Sequence, residues 1–209
     1  TRAYEAVCLQ LGDRSIESLV ELPRANDENV EAAMSVLALL FAPAVFTDAN
    51  LLTLHLCHMV MLTLEHGVTA PTTHAFGWFG IVLGDTFQRP LDGYRFARLA
   101  RSLVDRHGFV AYEAKAYFAL ELASLWSAPI AAALEAIRSA HRHGVESGDV
   151  TVACYACNHA VTDLILRGEQ LDRVWDESER GLAFARRAGF RDVVDVLVSQ
   201  QRFIQSMRG

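Results

Sequence analysis

Apolar residues recur along the chain every three or four positions, and no stretch keeps the strict alternation that a half-buried strand needs. Leu171, Val174, Trp175, Ser178, Leu182 and Ala185 follow helical spacing. So do Phe96, Leu99, Ala100, Leu103 and His107, with Arg95, Arg98, Ser102 and Asp105 on the opposite side. These are one-sided helices. The stretch from Ala111 to Trp126 is apolar almost all round, interrupted by Glu113, Lys115 and Glu121, and reads as a helix flanked on both sides. The pattern predicts helices at 28–41, 48–66, 70–87, 90–107, 110–127, 129–147, 149–167, 170–188 and 191–208, with a shorter pair before residue 23.

Helix-ending signals set a rhythm. Gly67, Gly108, Gly148 and Gly189 each follow a helical run, 41, 40 and 41 residues apart, and glycine suits the left-handed position that closes a helix. A second break falls inside each period, at Arg89-Pro90-Leu91-Asp92, at Ala128-Pro129 and at Arg167-Gly168-Glu169. Proline is tolerated in the first helical turn, so these breaks mark helix starts. Each period therefore holds two helices. Small residues recur where paired helices must approach: Gly77, Gly80 and Gly84 in one helix, Ala153, Ala156 and Ala160 in another. The expected fold is all-α, a right-handed α-solenoid of two-helix tetratricopeptide-like repeats, with a period of about 40 residues in place of about 34. Residues 1–209 are expected to form a single repeat region.

Composition narrows the function classes. Apolar residues make up 52% of the chain against 21% charged, enough for a packed core and unlike a disordered segment. Lys and Arg number 19 against 25 Asp and Glu, and the basic residues are scattered, so no nucleic-acid footprint is expected. The run from Leu51 to Leu64 contains His55 and His58 and is shorter than the roughly 20 apolar residues of a membrane span. It reads as a buried helix, and no membrane partner is expected. Cys8, Cys57, Cys154 and Cys157 lie inside helical patterns, which fits a reducing, cytoplasmic setting. The start, Thr1-Arg2-Ala3-Tyr4-Glu5, has neither an initiator Met nor a signal-like segment, and a helical pattern still runs at Phe203 to Met207. The chain is expected to be cut from a longer one, with apolar solenoid ends that favour a homodimer.

Candidate chemistry is sparse. Cys154 and Cys157, with His159, give one pair where a structural zinc needs four ligands, and His141 and His143 stand on the preceding helix without a fixed register. Small core cysteines are the expectation, with no metal and no cofactor. His55 and His58 lack an acidic neighbour on their face before Glu65, and are expected to line a helix seam. Glu113, Glu121, Asp163, Asp192 and Asp195 show no recognisable carboxylate pairing, so no catalytic residue is assigned. One polar stripe remains. Thr151, Tyr155, Asn158, His159 and Thr162 share a helix face, Asp195, Ser199, Arg202 and Ser206 repeat it one period later, and Glu113, Tyr117, Glu121 and Ser124 extend it backward. First helices often line the concave side of a solenoid, which makes Glu113, Tyr117, Glu121, Tyr155, Asn158, His159, Thr162, Asp195, Ser199 and Arg202 the candidate binding groove; a solvated helix face is the plainer reading.

Several segments carry a resemblance. These are Leu22-Pro23, Ala32-Ala33-Met34, Pro43-Ala44, Phe46 to Leu51, His74 to Gly84, Leu125-Trp126 with Pro129-Ile130, Gly181 to Phe190, and Arg202-Phe203-Ile204. Over nearly its whole length the chain resembles the helical, tetratricopeptide-like region of very large bacterial signalling proteins. Those proteins join a serine/threonine protein kinase, a signal-transducing AAA-type ATPase, that helical region, a GAF sensor and a histidine kinase. The resemblance implies a non-catalytic scaffold whose partners are protein segments or neighbouring domains of the same chain, within a parent that has kinase and ATPase activities. The residues agree with that separation. Gly77, Gly80 and Gly84 have no following Lys for a phosphate loop, Asp105-Arg106-His107 runs in the wrong order for a kinase catalytic loop, and no His stands in a phospho-acceptor context. Two other readings stay open: a small-molecule or second-messenger sensor acting on the adjacent ATPase or kinase, and, less favoured, a metal-dependent helical enzyme.

Overall fold

A computed structural model describes residues 2–209 and is all-helical. In chain order the helices are α1 (Arg2–Leu11), α2 (Glu28–Thr47), α3 (Ala49–His66), α4 (Ala70–Asp85), α5 (Pro90–His107), α6 (Glu113–Ser124), α7 (Ile130–Ser147), α8 (Val150–Leu166), α9 (Leu171–Ala188) and α10 (Arg191–Arg208). Short 3-10 turns occupy Glu17–Glu21 and Val110–Tyr112. Among the described residues the nearest approach to a strand is an isolated bridge between Arg24 and Val68. The helices gather into two compact units, one ending at Tyr112 and the other spanning Glu113–Gly209.

Local sequence explains most of the boundaries. Asp27 starts α2 by accepting from the Asn29 amide at 2.8 Å. Asp48, the lone residue between α2 and α3, accepts from Asn50 at 2.6 Å and Leu51 at 3.1 Å, satisfying two amides that helix geometry leaves free. Gly108, Gly148 and Gly189 close α5, α7 and α9 in the left-handed conformation. Gly67 differs, with φ at 100° and an extended ψ, where the backbone of residues 23–25 runs against it; a Cβ there would lie 2.5 Å from the Pro23 oxygen.

Three expectations need correction. α2 does not stop near residue 41 but runs through Pro43 to Thr47, where Asp48 resets the backbone. The helix expected at 110–127 is only Glu113–Ser124, since the Ser124 carbonyl takes the Ser127 and Ala128 amides in a turn ahead of Pro129, leaving Trp126 81% exposed. The region from Leu51 to Leu64 is buried on one face only: Leu56, Cys57, Met59 and Val60 are inside, whereas Leu51, Leu54 and His58 face out. His55 beside them is half-buried, and desolvation lowers its pKa.

In the first unit α4 is the core helix, buried along most of its length and packed on α2, α3 and α5. Its crossing with α5 is set by two glycines. A Cβ on Gly80 would strike the Gly93 carbonyl oxygen, and a Cβ on Gly93 would strike that of Gly80, so the two backbones touch where neither residue has a side chain. Phe76 and Phe79 then reach Phe96, ring centroids 5.6 and 5.2 Å apart and near edge-to-face. The N-terminal segment is strapped across α5 by two forked ion pairs, Arg95 on Glu17 at 2.6 and 2.7 Å and Arg106 on Glu21 at 2.8 and 2.5 Å. The Arg95 guanidinium holds the Glu17 carboxyl down to about 2.

The second unit is a succession in which each helix packs on the next, while α8 also touches α6 and α10. Leu134, Ile137, Ala140, Val161, Val174, Leu182, Val193, Leu197 and Ile204 form its core. The glycine crossing of the first unit generates a direct test. Gly93→Ala should destabilise by about 1–3 kcal/mol, the usual cost of forcing an extra methyl into a close contact. Gly84→Ala, whose Cβ would meet Pro90 at an ordinary 3.6 Å, should be neutral or slightly stabilising in thermal unfolding.

Candidate functional site: the polar face of α6, α8 and α10

α8 stands between α6 and α10, and the polar residues at these two seams follow one rule. Glu121 on α6 meets His159 and Asp163 on α8, 38 and 42 residues further on. Gln200 on α10 donates to the Asn158 carbonyl and the Thr162 hydroxyl on α8, both at 2.9 Å, which lie 42 and 38 residues before it. In each case one side chain fits between two residues four apart on its neighbour, as ridge-into-groove packing requires.

The Glu121 cluster lies in the core. Glu121 is 1% exposed and Asp163 fully buried. His159 approaches both Glu121 oxygens through Nδ1, at 3.2 and 3.1 Å, and that nitrogen is the donor because a carboxylate can only accept. Neither Asp163 oxygen has a donor within reach. Burial above all, and then the neighbouring Glu121, push the Asp163 carboxyl up to about 7, with His159 opposing. A proton on Asp163 turns a repulsive carboxylate contact into a hydrogen bond. The expectation that Glu121 and Asp163 have no partner carboxylate is thus overturned. The two lie on different helices, and only the offset of about one helix pair reveals the match.

The other stripe residues divide by exposure. Glu113 and Tyr117 turn toward α7, where His143 Nδ1 lies 3.4 Å from Glu113 and the Tyr117 ring stacks on the imidazole with centroids 5.4 Å apart. Tyr155 is half-buried against Phe118 and Phe190. Asn158 and His159 are half-buried, and Thr162, Asp195, Ser199 and Arg202 are exposed. Asp195 and Ser199 line an open depression of about 430 Å³ together with Val196, Gln200 and Phe203. The open part of the stripe is thus a surface made mainly by α10 and the end of α8, and the buried Glu121 is not part of it. Sequence reading missed Val196, Gln200 and Phe203; two of them are apolar, and their exposure is not visible in periodicity.

Cys157 and His141 form the other reactive-looking pair, with Sγ 3.7 Å from Nδ1. That nitrogen also sits 3.0 Å from the Ala153 carbonyl, which fixes it as a donor and leaves no base facing the thiol. The thiol itself donates to the same carbonyl at 3.3 Å, and burial pushes it up to about 12. It is a satisfied core thiol and a poor nucleophile or metal ligand. Cys154 is likewise buried and its pKa raised by desolvation. Cys57 is buried too, with its pKa pushed up to about 11. Among the described residues no group of three His, Cys, Asp or Glu side chains is arranged to hold a metal ion. Beside Cys157 a half-enclosed cavity of about 270 Å³ opens between α7, α8 and α9, lined by Arg138, His141, Glu177, Arg180 and Phe184.

Comparison with known proteins adds one relative. The chain is 26% identical over 188 residues to the hybrid signal transduction histidine kinase G of Dictyostelium discoideum. The match takes in 86% of this chain but only 5% of that protein, so the chain spans a small part of its relative's length. No family profile matches the chain, and no solved structure matches it.

The buried acid gives a signed pH dependence. A carboxyl raised from 3.8 to about 7 on folding binds its proton more tightly in the native state. Its contribution is therefore fully present below about pH 4 and is lost as pH rises through 7. Asp163→Asn, which mimics the protonated acid, should match the parent chain near pH 4 and exceed it above pH 7, by on the order of 4 kcal/mol. Denaturant unfolding at both pH values measures the gap.

Proposed function

We propose that the chain is a non-catalytic helical-repeat scaffold within a signal-transduction protein, and that its second unit presents a groove for protein segments or neighbouring domains. The observation that carries the reading is the repeated seam of α8, where offsets of 38 and 42 residues recur on both sides. Such regularity is what a right-handed α-solenoid of two-helix, tetratricopeptide-like units of about 40 residues requires, because equivalent residues of successive units are neighbours. The likeness to a hybrid histidine kinase supports a signalling parent. The finer assignment is a cytoplasmic, bacterial protein that also carries a serine/threonine kinase, an AAA-type ATPase and a GAF sensor; it rests on the resemblance of the segments quoted above. The inertness of Cys157 beside His141 takes that one pair out of the candidate chemistry.

Thr162, Asp195, Ser199 and Arg202 with Val196 and Phe203 are the contact residues of this reading, and Glu121, His159 and Asp163 position α6 against α8 beneath them. Binding along such a face would bias the geometry of adjoining domains, since each helix leans on its neighbours. A second reading, a small-molecule sensor, draws on the cavity beside Cys157, but about 270 Å³ falls under the size of most ligand sites, which begin near 300 Å³.

The scaffold reading is tested by affinity capture with the chain and with a Ser199→Arg, Arg202→Glu double variant, both positions being exposed. Partners captured by the parent chain should fall at least about tenfold in yield with the variant, at an unchanged melting temperature. Identical capture by the two proteins would discard the groove.

A further inference from the structure

α2 carries an apolar face that nothing in its own unit covers. Val30, Met34 and Ala44 are its only buried residues, on the side that packs against α3 and α4. On the other side Val36 is 55% exposed, Leu39 79%, Leu40 50% and Phe46 80%. From Ala32 to Thr47 there is no charged residue. The outward positions Ala32, Val36, Leu39, Pro43 and Phe46 are spaced four, three, four and three apart, the seam spacing of helices that pair along their length.

We infer that this face is a two-fold interface in which α2 pairs with α2 of a second copy of the chain. Three observations select that occupant. The first is the absence of charge. An isologous contact sets the face against a copy of itself, and an uncharged apolar face is complementary to its own copy without needing opposite charges placed in matching pairs. The positions flanking the seam, Ala33, Ser35, Leu40, Ala42 and Thr47, are also uncharged, whereas a dedicated foreign helix is usually chosen by charges at those places. The second is size. The four large exposed side chains present on the order of 500 Å², the upper end of what a lone chain leaves open. Two such faces together bury roughly the 1,000 Å² at which specific interfaces begin. The third is geometry. α2 is long and apolar enough to cross a bilayer, but its other face is held on α3 and α4, which leaves a one-sided seam for a helix and not an all-round apolar cylinder for lipid. The inference concerns the first unit and is independent of the groove proposed on the second.

Sedimentation equilibrium of the 209-residue chain at micromolar concentration decides it. The chain should sediment at twice its monomer mass. Leu39→Glu and, separately, Phe46→Glu should restore the monomer, raising the dissociation constant at least about tenfold. Trp126→Glu, at an equally exposed apolar residue of the other unit, should leave the dimer intact. Far-UV circular dichroism confirms that each variant keeps its helix content. A monomeric parent chain overturns the inference. So does a dimer that survives Leu39→Glu and Phe46→Glu, or a chain that stays monomeric and floats with phosphatidylcholine vesicles through α2.

Discussion

Two helices can approach only as far as the atoms between their backbones permit, and in this chain the closest approaches occur where those atoms have been removed. Gly80 and Gly93 let α4 and α5 touch backbone to backbone. Gly144 sets α7 against α8, where an added Cβ would stand 3.0 Å from the Ala153 amide, and Gly181 does the same for α9 at the Cys157 Cβ, again at 3.0 Å. Much else depends on these contacts. The edge-to-face aromatic cluster around Phe96 forms because α5 lies so near α4. The close approach of α9 to α8 at Gly181 also helps bury Cys157, and burial is what raises its thiol pKa.

Close packing also fixes the register of the polar residues. With helices held at one spacing, a side chain on α6 or α10 can enter only between particular turns of α8, and Glu121 and Gln200 do so at mirror-image offsets. The polar face is therefore partly a locking device and partly surface. Its inner members join helices, and its outer members, on α10 and the end of α8, are free to meet something else.

The helices were readable in the sequence because their punctuation is chemical: Pro90 can only begin, and Gly108, Gly148 and Gly189 close a turn at no steric cost. α2 was read too short because Pro43 ordinarily ends a helix, and its hydrogen-bond loss falls here on an exposed stretch. Exposure was the hardest property to read. Leu39 and Leu56 are the same residue in equally apolar surroundings, one open and the other sealed, and periodicity cannot separate them when both helix faces are apolar. The stripe on α6, α8 and α10 was legible as a pattern. Its division into buried and open members was not, since that depends on which neighbour each residue faces.

Asp163 has a consequence beyond its own helix. The formal charge of -6 counts its carboxylate as ionised, which describes the unfolded chain at neutral pH. Once folded, with the group titrating at about 7, a substantial fraction of molecules keep the proton. Folding of the second unit is then itself a proton-binding reaction, and in a cell whose pH drifts around neutrality the hydrogen ion acts as a small ligand of the native state.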